Sequence, residues 1–177
     1  GISLNNSWWT DINQNNVHSN SYNGLYLYNS KYAEVIDNDF TSNGWHGLQI
    51  MPQEGISGSG GNNTFEINYL YGNSWSGAGI NTSSNTFTGD RANSNKAYGF
   101  HVTDSTGNTF TDCDAMSNVD GFYIANAANT TITSTIPNNT DIWYNIDYGV
   151  YIANSTNTVV EKSHLYNTAE TEDSETD

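Results

Sequence analysis

The chain has 177 residues, enough for one domain with a continuous core. Its 19 Asp and Glu residues outnumber 4 Lys and Arg residues, which gives a formal net charge of −15. So few cations argue against binding to nucleic acid or to an anionic membrane surface, because little would neutralise the phosphates. No apolar stretch approaches the roughly 20 residues of a membrane span, so membrane insertion is not expected.

A four-residue pattern recurs along the chain and predicts the first strand of each repeat. Each copy is a Gly followed by two apolar residues at alternate positions, starting at Gly1, Gly24, Gly47, Gly77, Gly99, Gly121 and Gly149. This alternation is typical of a short strand with one buried and one exposed face. The exposed face should carry the residue between the two apolar positions, namely Ser3, Tyr26, Gln49, Gly79, His101, Tyr123 and Tyr151.

Each repeat contains two further apolar positions. The first of them is occupied by Ile12, Val35, Phe65, Phe87, Phe110, Thr131 (or its neighbour Ile132) and Val160. The other lies five residues later, at Val17, Phe40, Leu70, Ala92, Ala115, Ile136 and Leu165. Because Asn, Ser, Thr and Gly separate these short segments and no helical pattern appears, the sequence predicts an all-β solenoid of about seven coils.

A row of Asn residues stands three positions beyond the last apolar position of the first six repeats, and the seventh repeat has Thr168 there. The members of the row are Asn20, Asn43, Asn73, Asn95, Asn118 and Asn139. Asn tolerates left-handed backbone, and its amide can bond to the backbone at a tight turn. Stacked at equivalent turns, these amides can also bond from coil to coil, so we expect an Asn ladder along the solenoid.

The repeat fills most of the chain. We expect a solenoid domain over residues 1–167, loop insertions at about 52–62 and 140–148, and an acidic disordered tail over 168–177. The pattern begins at Gly1 itself, which suggests a processed N-terminus. No residues remain for a polar cap at either end, so both end coils are expected to be uncapped and to expose strand edges.

The repeat also resembles a known family. Gly-x-x-apolar followed by Asn-Ser/Thr and Asn-Thr-apolar, as in Gly99–Phe110 and Gly149–Val159, is similar to the repeats of the pectate-lyase-like superfamily. The NosD-type repeats of periplasmic and archaeal surface proteins are the most similar variety. This resemblance implies a right-handed parallel β-helix. It leaves the function open, because the fold serves lyases, epimerases, adhesins and cell-surface layers.

The leading hypothesis for function is an extracellular or cell-surface structural protein. Such a chain would self-assemble into a surface layer, sheath or filament through its coil ends and aromatic side contacts. Cys113 is the single cysteine, and it is either a small buried core residue or the site of an intermolecular disulfide. The main partner expected is therefore another copy of the chain.

The alternative is a carbohydrate-active protein, either a polysaccharide lyase or epimerase or a glycan-binding module. The outward face from Tyr26 to Tyr151 would then hold a polysaccharide. Aromatic side chains could stack on sugar rings or equally contact another subunit. The main candidates are Tyr26, Tyr123, Tyr151 and Trp143, and the further ones are Trp8, Trp9, Trp45 and Trp75.

No catalytic constellation stands out, but an enzyme would use His101 with Tyr123 and Asp104 for acid–base chemistry. The segment Tyr98–His101 faintly resembles the start of an alginate-epimerase motif, although the continuation Val102-Thr103-Asp104 departs from it. No His or Cys spacing predicts a metal site. Asp and Asn oxygens could bind Ca²⁺, but no calcium-loop signature supports this, and no cofactor is predicted.

Overall fold

The computed structural model describes residues 1–56, 59–135 and 140–166, and these residues form short strands and no helix. None of the described residues therefore belongs to a helix able to cross a membrane. In chain order the strands are β1 (Ile2–Asn5), β2 (Asp11–Asn13), β3 (Asn16–His18), β4 (Leu25–Tyr28), β5 (Glu34–Ile36), β6 (Asp39–Thr41), β7 (Leu48–Met51), β8 (Thr64–Glu66), β9 (Tyr69–Tyr71), β10 (Ala78–Ile80), β11 (Thr86–Thr88), β12 (Tyr98–Thr103), β13 (Thr109–Thr111), β14 (Asp120–Ala125), β15 (Thr131–Thr133), β16 (Thr140–Trp143), β17 (Tyr148–Ala153), β18 (Val159–Val160) and β19 (Ser163–Tyr166).

Equivalent strands of successive coils pair in parallel and build three sheets. The first sheet has the order β1-β4-β7-β10-β12-β14-β17, and the second has β2-β5-β8-β11-β13-β15-β18. The third sheet consists of β3-β6-β9 and β16-β19, and single bridges from Tyr69 to Arg91 and from Arg91 to Asp114 continue it through the coils between. The prediction of a parallel β-helix with seven coils is confirmed.

The core consists of columns of side chains that repeat once per coil. Phe87 stacks between Phe65 and Phe110, with ring centroids 4.5 and 4.8 Å away, and all three rings are fully buried. Such offset stacks add to the free energy gained by burying the rings. In the sixth coil the second column is occupied by Ile132, the second of the two residues considered, because Ile132 pairs with Phe110 and Val160.

Buried amides form a ladder beside the third sheet. Nδ2 of Asn43 donates to Oδ1 of Asn73 at 3.1 Å, and Nδ2 of Asn73 donates to Oδ1 of Asn95 at 3.0 Å. Each Oδ1 also accepts the backbone N–H of the preceding member, as in Asn43 to Asn73 at 3.0 Å. Asn20 and Asn118 continue this row at either end. Its amides are thus satisfied within the core, where an unpaired polar group is costly.

Two more ladders lie at the other turns, and the sequence reasoning missed both. One runs from Asn15 through Asn38 and Asn68 to Asp90. The other contains Asn63, Asn85 and Asn108. Members of the first of these ladders stand three residues after the second apolar column, and members of the other stand two residues before it. The same repeat alignment would therefore have found both.

The left-handed residue at the Asn turn is not the ladder Asn itself, contrary to expectation. It is the residue immediately before it, such as Ser42 (φ 53°) before Asn43 and Ser94 (φ 57°) before Asn95. The ladder also explains the Gly that opens the five inner repeats, from Gly24 to Gly121. A Cβ on Gly47 would lie 2.7 Å from Nδ2 of Asn73, so a side chain at that position would displace the ladder.

The sixth coil differs from the predicted one. The insertion expected at 140–148 is wrong in position, because β16 pairs in register with β19 and places Ile142 opposite Leu165 in the third apolar column. Ile136 and Asn139, which were expected to fill this column and the ladder, lie outside the described residues, as does the tail 168–177. Asn145 accepts from the backbone N–H of Asn118 at 2.9 Å and takes the ladder position.

Cys113 lies inside the coil, so the suggested intermolecular disulfide is wrong for the folded chain. Its thiol is fully buried, and burial raises the pKa of the thiol well above its ordinary value. Cys113 stands three residues after Phe110 of the second apolar column. It therefore occupies the position one coil beyond Asp90 in the ladder that begins at Asn15. A second chain could reach it only if the coil opened.

Asp90 is a fully buried carboxyl group that follows the amides of Asn15, Asn38 and Asn68 in their ladder. Its Oδ1 accepts from the backbone N and from Nδ2 of Asn68, both at 2.8 Å, and its Oδ2 accepts from the backbone N of Thr88 at 3.1 Å. Burial raises its pKa from 3.8 to about 7, although these hydrogen bonds oppose the change. Folding therefore favours the protonated carboxyl.

Replacing Asn73 tests the first ladder. Asn73→Ala should lower the free energy of unfolding by about 3 kcal/mol, because it leaves Asn43 without its buried acceptor and removes a donor from the carbonyl of Phe40. Denaturant unfolding followed by circular dichroism measures the change. The matched control is Asn16→Ala on the exposed side of β3, which should change stability by less than about 0.5 kcal/mol. Equal losses in both variants would contradict a structural ladder.

Replacing Asp90 tests the buried carboxyl. Because its pKa is higher in the folded than in the unfolded chain, its contribution to stability is full below about pH 4 and is lost as the pH rises to about 7. Asp90→Asn should remove this decline and be more stable than the parent by about 2 kcal/mol at pH 8. Urea unfolding at pH 4.5, 6 and 8 checks the profile. The exposed Asp39→Asn is the control, and parallel profiles for parent and Asp90→Asn would refute the assignment.

Candidate functional site

The outward side of the first sheet carries one residue per coil, as the alternation predicted, and all of these residues except the buried Gly79 are at least partly exposed. The strand registers align Ser3, Tyr26, Gln49, Gly79, His101, Tyr123 and Tyr151 in one column. Because strands of the same sheet are about 4.8 Å apart, these side chains stand at the spacing of stacked rings. We call this row of side chains, which runs parallel to the axis of the β-helix, the platform.

The platform is aromatic over its last three coils. We define the aromatic face as Tyr98, His101, Tyr123, Tyr148 and Tyr151. Tyr123 and Tyr151 are stacked with centroids 5.0 Å apart, and Tyr98 stacks on His101 at 4.7 Å. Tyr148 lies 5.3 Å from Tyr151 and continues the surface. Tyr26, which the sequence grouped with these residues, is separated from them by Gln49 and Gly79 and contacts Tyr28 instead.

A cavity interrupts the platform at Gly79. Its volume is about 310 Å³, and we call it the Gly79 pocket. It is lined by Trp45, His46, Gln49, Met51, Trp75, Gly79, Asn81 and His101. Trp45 and Trp75 follow one another on the turn that leads into the first sheet, where the backbone N of Trp75 donates to the carbonyl of Trp45 at 3.0 Å. Both indoles are about half exposed and form an open wall of the pocket.

His46 forms the inner wall of the pocket. A Cβ added to Gly79 would lie 2.9 Å from Cε1 of His46, so the imidazole fills the space that a side chain at 79 would need. Nδ1 of His46 is buried and has no hydrogen-bond partner among the described residues. Burial, assisted by the nearby His101, lowers the pKa of His46 to about 4. The ring is therefore neutral near pH 7.

His101 links the pocket to the aromatic face, since it belongs to both. Its ring centroid lies 5.2 Å from that of Tyr123. Burial lowers the pKa of His101, and the Asp104 carboxylate acts in the opposite direction. Asp104 accepts a hydrogen bond from Nδ2 of Asn126 at 3.3 Å. Within the described part of the chain, no hydrogen bond joins His101 to Tyr123 or to Asp104, so these three residues do not form a bonded acid–base relay.

Trp143 lies elsewhere than the sequence grouping suggested. It belongs to the third sheet, where its indole contacts His164 at 5.5 Å and Tyr144 at 5.3 Å, and its Nε1 points to the sulfur of Met116. The aromatic face and Trp143 are thus on different sides of the coil. Trp45 and Trp75 were among the aromatic candidates, but the sequence analysis did not group them with each other or with His46. The signal for grouping the two Trp residues was an aromatic residue two positions before the repeat glycines Gly24, Gly47 and Gly77.

Positive charge is absent from the pocket lining. Arg91 pairs with Asp114 at 3.2 Å and lies over the ring of Tyr69, on the third sheet. The backbone of Lys31 bridges to Trp8 and Gly61 at a different turn. Among the residues that the structure describes, no group of three or more His, Cys, Asp or Glu is arranged to hold a metal ion. What the site offers is uncharged: aromatic rings, neutral imidazoles and amides.

Three stacked parallel sheets with one coil per repeat define a right-handed β-helix protein. A family model described as "Right handed beta helix region" matches residues 1–168, and the chain belongs to this family. Among curated proteins no sequence matches it significantly.

Solved structures show the same fold. Two mutant forms of the periplasmic alginate epimerase AlgG are similar to the chain, both with a TM-score of 0.63. Sequence identities are 15% and 14%, and each comparison covers 90% of this chain. The chain spans 45% and 47% of the length of those two structures. At this level of identity the similarity establishes the fold alone.

Proposed function

We propose that the chain is a polysaccharide-binding protein that acts outside the cytoplasm and holds a neutral glycan lengthwise on its aromatic face. The observation that carries the proposal is the continuous ring surface from Tyr98 to Tyr151 on the wet side of the first sheet. Aromatic rings present large, rigid apolar area to the C–H faces of sugars, while Tyr hydroxyls can bond to sugar hydroxyls. The rings follow the helix axis, which suits an extended polymer.

Electrostatics favours a neutral glycan over an acidic one. With a net charge of −15 the chain repels polyanions, and no Lys or Arg lines the Gly79 pocket. Lyases and epimerases of acidic polysaccharides must neutralise a carboxylate during the reaction. A reaction at His101, Tyr123 and Asp104 would lack that neutralising group, so we propose binding without catalysis.

The structural neighbours are compatible with this proposal but do not carry it. AlgG is a periplasmic alginate epimerase, and its fold gives a precedent for polysaccharide chemistry on a β-helix outside the cytoplasm. The identity of 15% transfers neither its substrate nor its activity. The proposal depends on the side chains of this chain.

Affinity electrophoresis through gels that contain neutral or acidic polysaccharides tests this proposal. Neutral glycans should retard the protein, and Tyr123→Ala or Tyr151→Ala should each weaken binding about tenfold, the loss of about 1.4 kcal/mol of stacking. Tyr71→Ala is the matched control, since Tyr71 is exposed on the third sheet, away from the face. Binding of acidic glycans only, or equal effects of all three variants, would contradict the proposal.

We propose, as a second function, that copies of the chain associate end to end. The supporting observation is the seventh coil, in which Ile152 and Leu165 are each more than 40% exposed although their equivalents in the sixth coil, Ile124 and Ile142, are buried. Within residues 1–56, 59–135 and 140–166, the strand of this coil has a neighbour on one side only in each sheet. Such an edge with apolar side chains is a template for another coil. This would provide the self-assembly that the sequence suggested.

Sedimentation velocity over a hundredfold range of protein concentration tests the association. The parent chain should form larger species as concentration rises, and Leu165→Glu should shift the equilibrium toward the monomer because a charge would face the apolar end. Ile67→Glu adds the same charge at a similarly exposed site in the third coil and should leave association unchanged. A parent chain that stays monomeric throughout would overturn this second proposal.

A further inference from the structure

The Gly79 pocket is a depression in an otherwise continuous row of side chains. Along the outward column, Gly79 stands between Gln49 and His101, and all three residues border the pocket. Gln49 and His101 are two coils apart, which corresponds to a distance of about 10 Å along the axis. The gap thus has the width of a single sugar ring. A polymer that runs along the axis can place only one sugar ring in it.

The walls restrict the pocket on the remaining sides. Trp45 and Trp75 close it toward the turn, and His46 closes it at depth against the backbone of Gly79. The volume of about 310 Å³ lies at the lower limit of small-molecule sites. The opening therefore faces outward, beside the path that a glycan would take over the aromatic face.

The chemistry of the lining is suited to an uncharged polyhydroxylated group. Two indoles offer stacking surfaces, and His46 and His101 are imidazoles that can donate or accept a hydrogen bond. Gln49 and Asn81 provide amides, with Asn81 already donating to Oγ1 of Thr103 at 2.6 Å. The lining contains no carboxylate and no ammonium or guanidinium group.

We propose that the Gly79 pocket binds a single neutral hexose that branches from the main chain of the glycan, and that it makes the protein selective for branched polysaccharides. This inference rests on the proposed glycan function and adds its specificity. The main chain lies on the aromatic face, and the branch enters between Trp45 and Trp75 and reaches His46. Gly79 is then a positioning residue, because a side chain there would displace His46 from the inner wall that the branch reaches.

Paired neutral polysaccharides that differ only in single-hexose branches provide the test. Linear mannan is compared with galactomannan, and linear β-1,3-glucan with the same glucan carrying single glucose branches, by affinity electrophoresis at pH 7. The parent chain should bind the branched member of one pair at least tenfold more tightly. Trp75→Ala and Gly79→Ala should each reduce this ratio toward one. Trp9→Ala, the same change at an exposed Trp on another turn, should leave the ratio as in the parent.

The outcomes separate this inference from the function on which it depends. Equal affinity of the parent chain for linear and branched members overturns the branch pocket but leaves glycan binding intact. Binding to no neutral glycan overturns both. Circular dichroism melting of each variant identifies a folding defect. If Gly79→Ala is destabilised by its contact with His46, Trp75→Ala still tests the proposal, since its side chain is exposed.

Discussion

Coil-to-coil hydrogen bonding by buried side-chain amides is the interaction on which this structure depends. Each ladder amide satisfies a backbone N–H in the preceding coil, as Asn73 does for Asn43, and so replaces the bonds that a tight turn would leave unmade. The same amide fixes what can stand beside it. Gly47 has no room for a side chain because its Cβ would lie only 2.7 Å from Nδ2 of Asn73. The spacing of turns, the opening glycines and the in-register columns all follow from this bonding, and the register in turn produces the outward face.

The fold was predictable because its cause is periodic. A buried column requires an apolar residue once per coil, so the positions of Phe65, Phe87 and Phe110 could be read directly from the sequence. The sixth coil was not predictable in the same way. Extra residues between Ile132 and Ile142 break the offset of five, and Ile136 offered a false match at the expected distance. Local periodicity cannot distinguish these two isoleucines, whereas pairing with Leu165 does.

The candidate site was only partly predictable, for a geometrical reason. The rings of Tyr123 and Tyr151 come from one column, and alternation within the strands was enough to place them together. The pocket forms only where residues of three columns meet. These are the turn residues Trp45 and Trp75, His46 (which precedes Gly47), and Gly79. Its essential feature is a missing side chain, which leaves no chemical mark in the sequence. Only the stacking of coils reveals that His46 occupies the space above that glycine.

The amides of the ladder that contains Asn43 give the β-helix a net dipole direction along its axis. Every amide in the row donates toward the next coil and accepts from the previous one, so the side-chain dipoles of Asn43, Asn73 and Asn95 point the same way and polarise one another. The two faces of any coil are therefore unlike, one rich in acceptors and the other in donors. A coil can continue this row in one orientation only, which makes the stacking of coils a vectorial process.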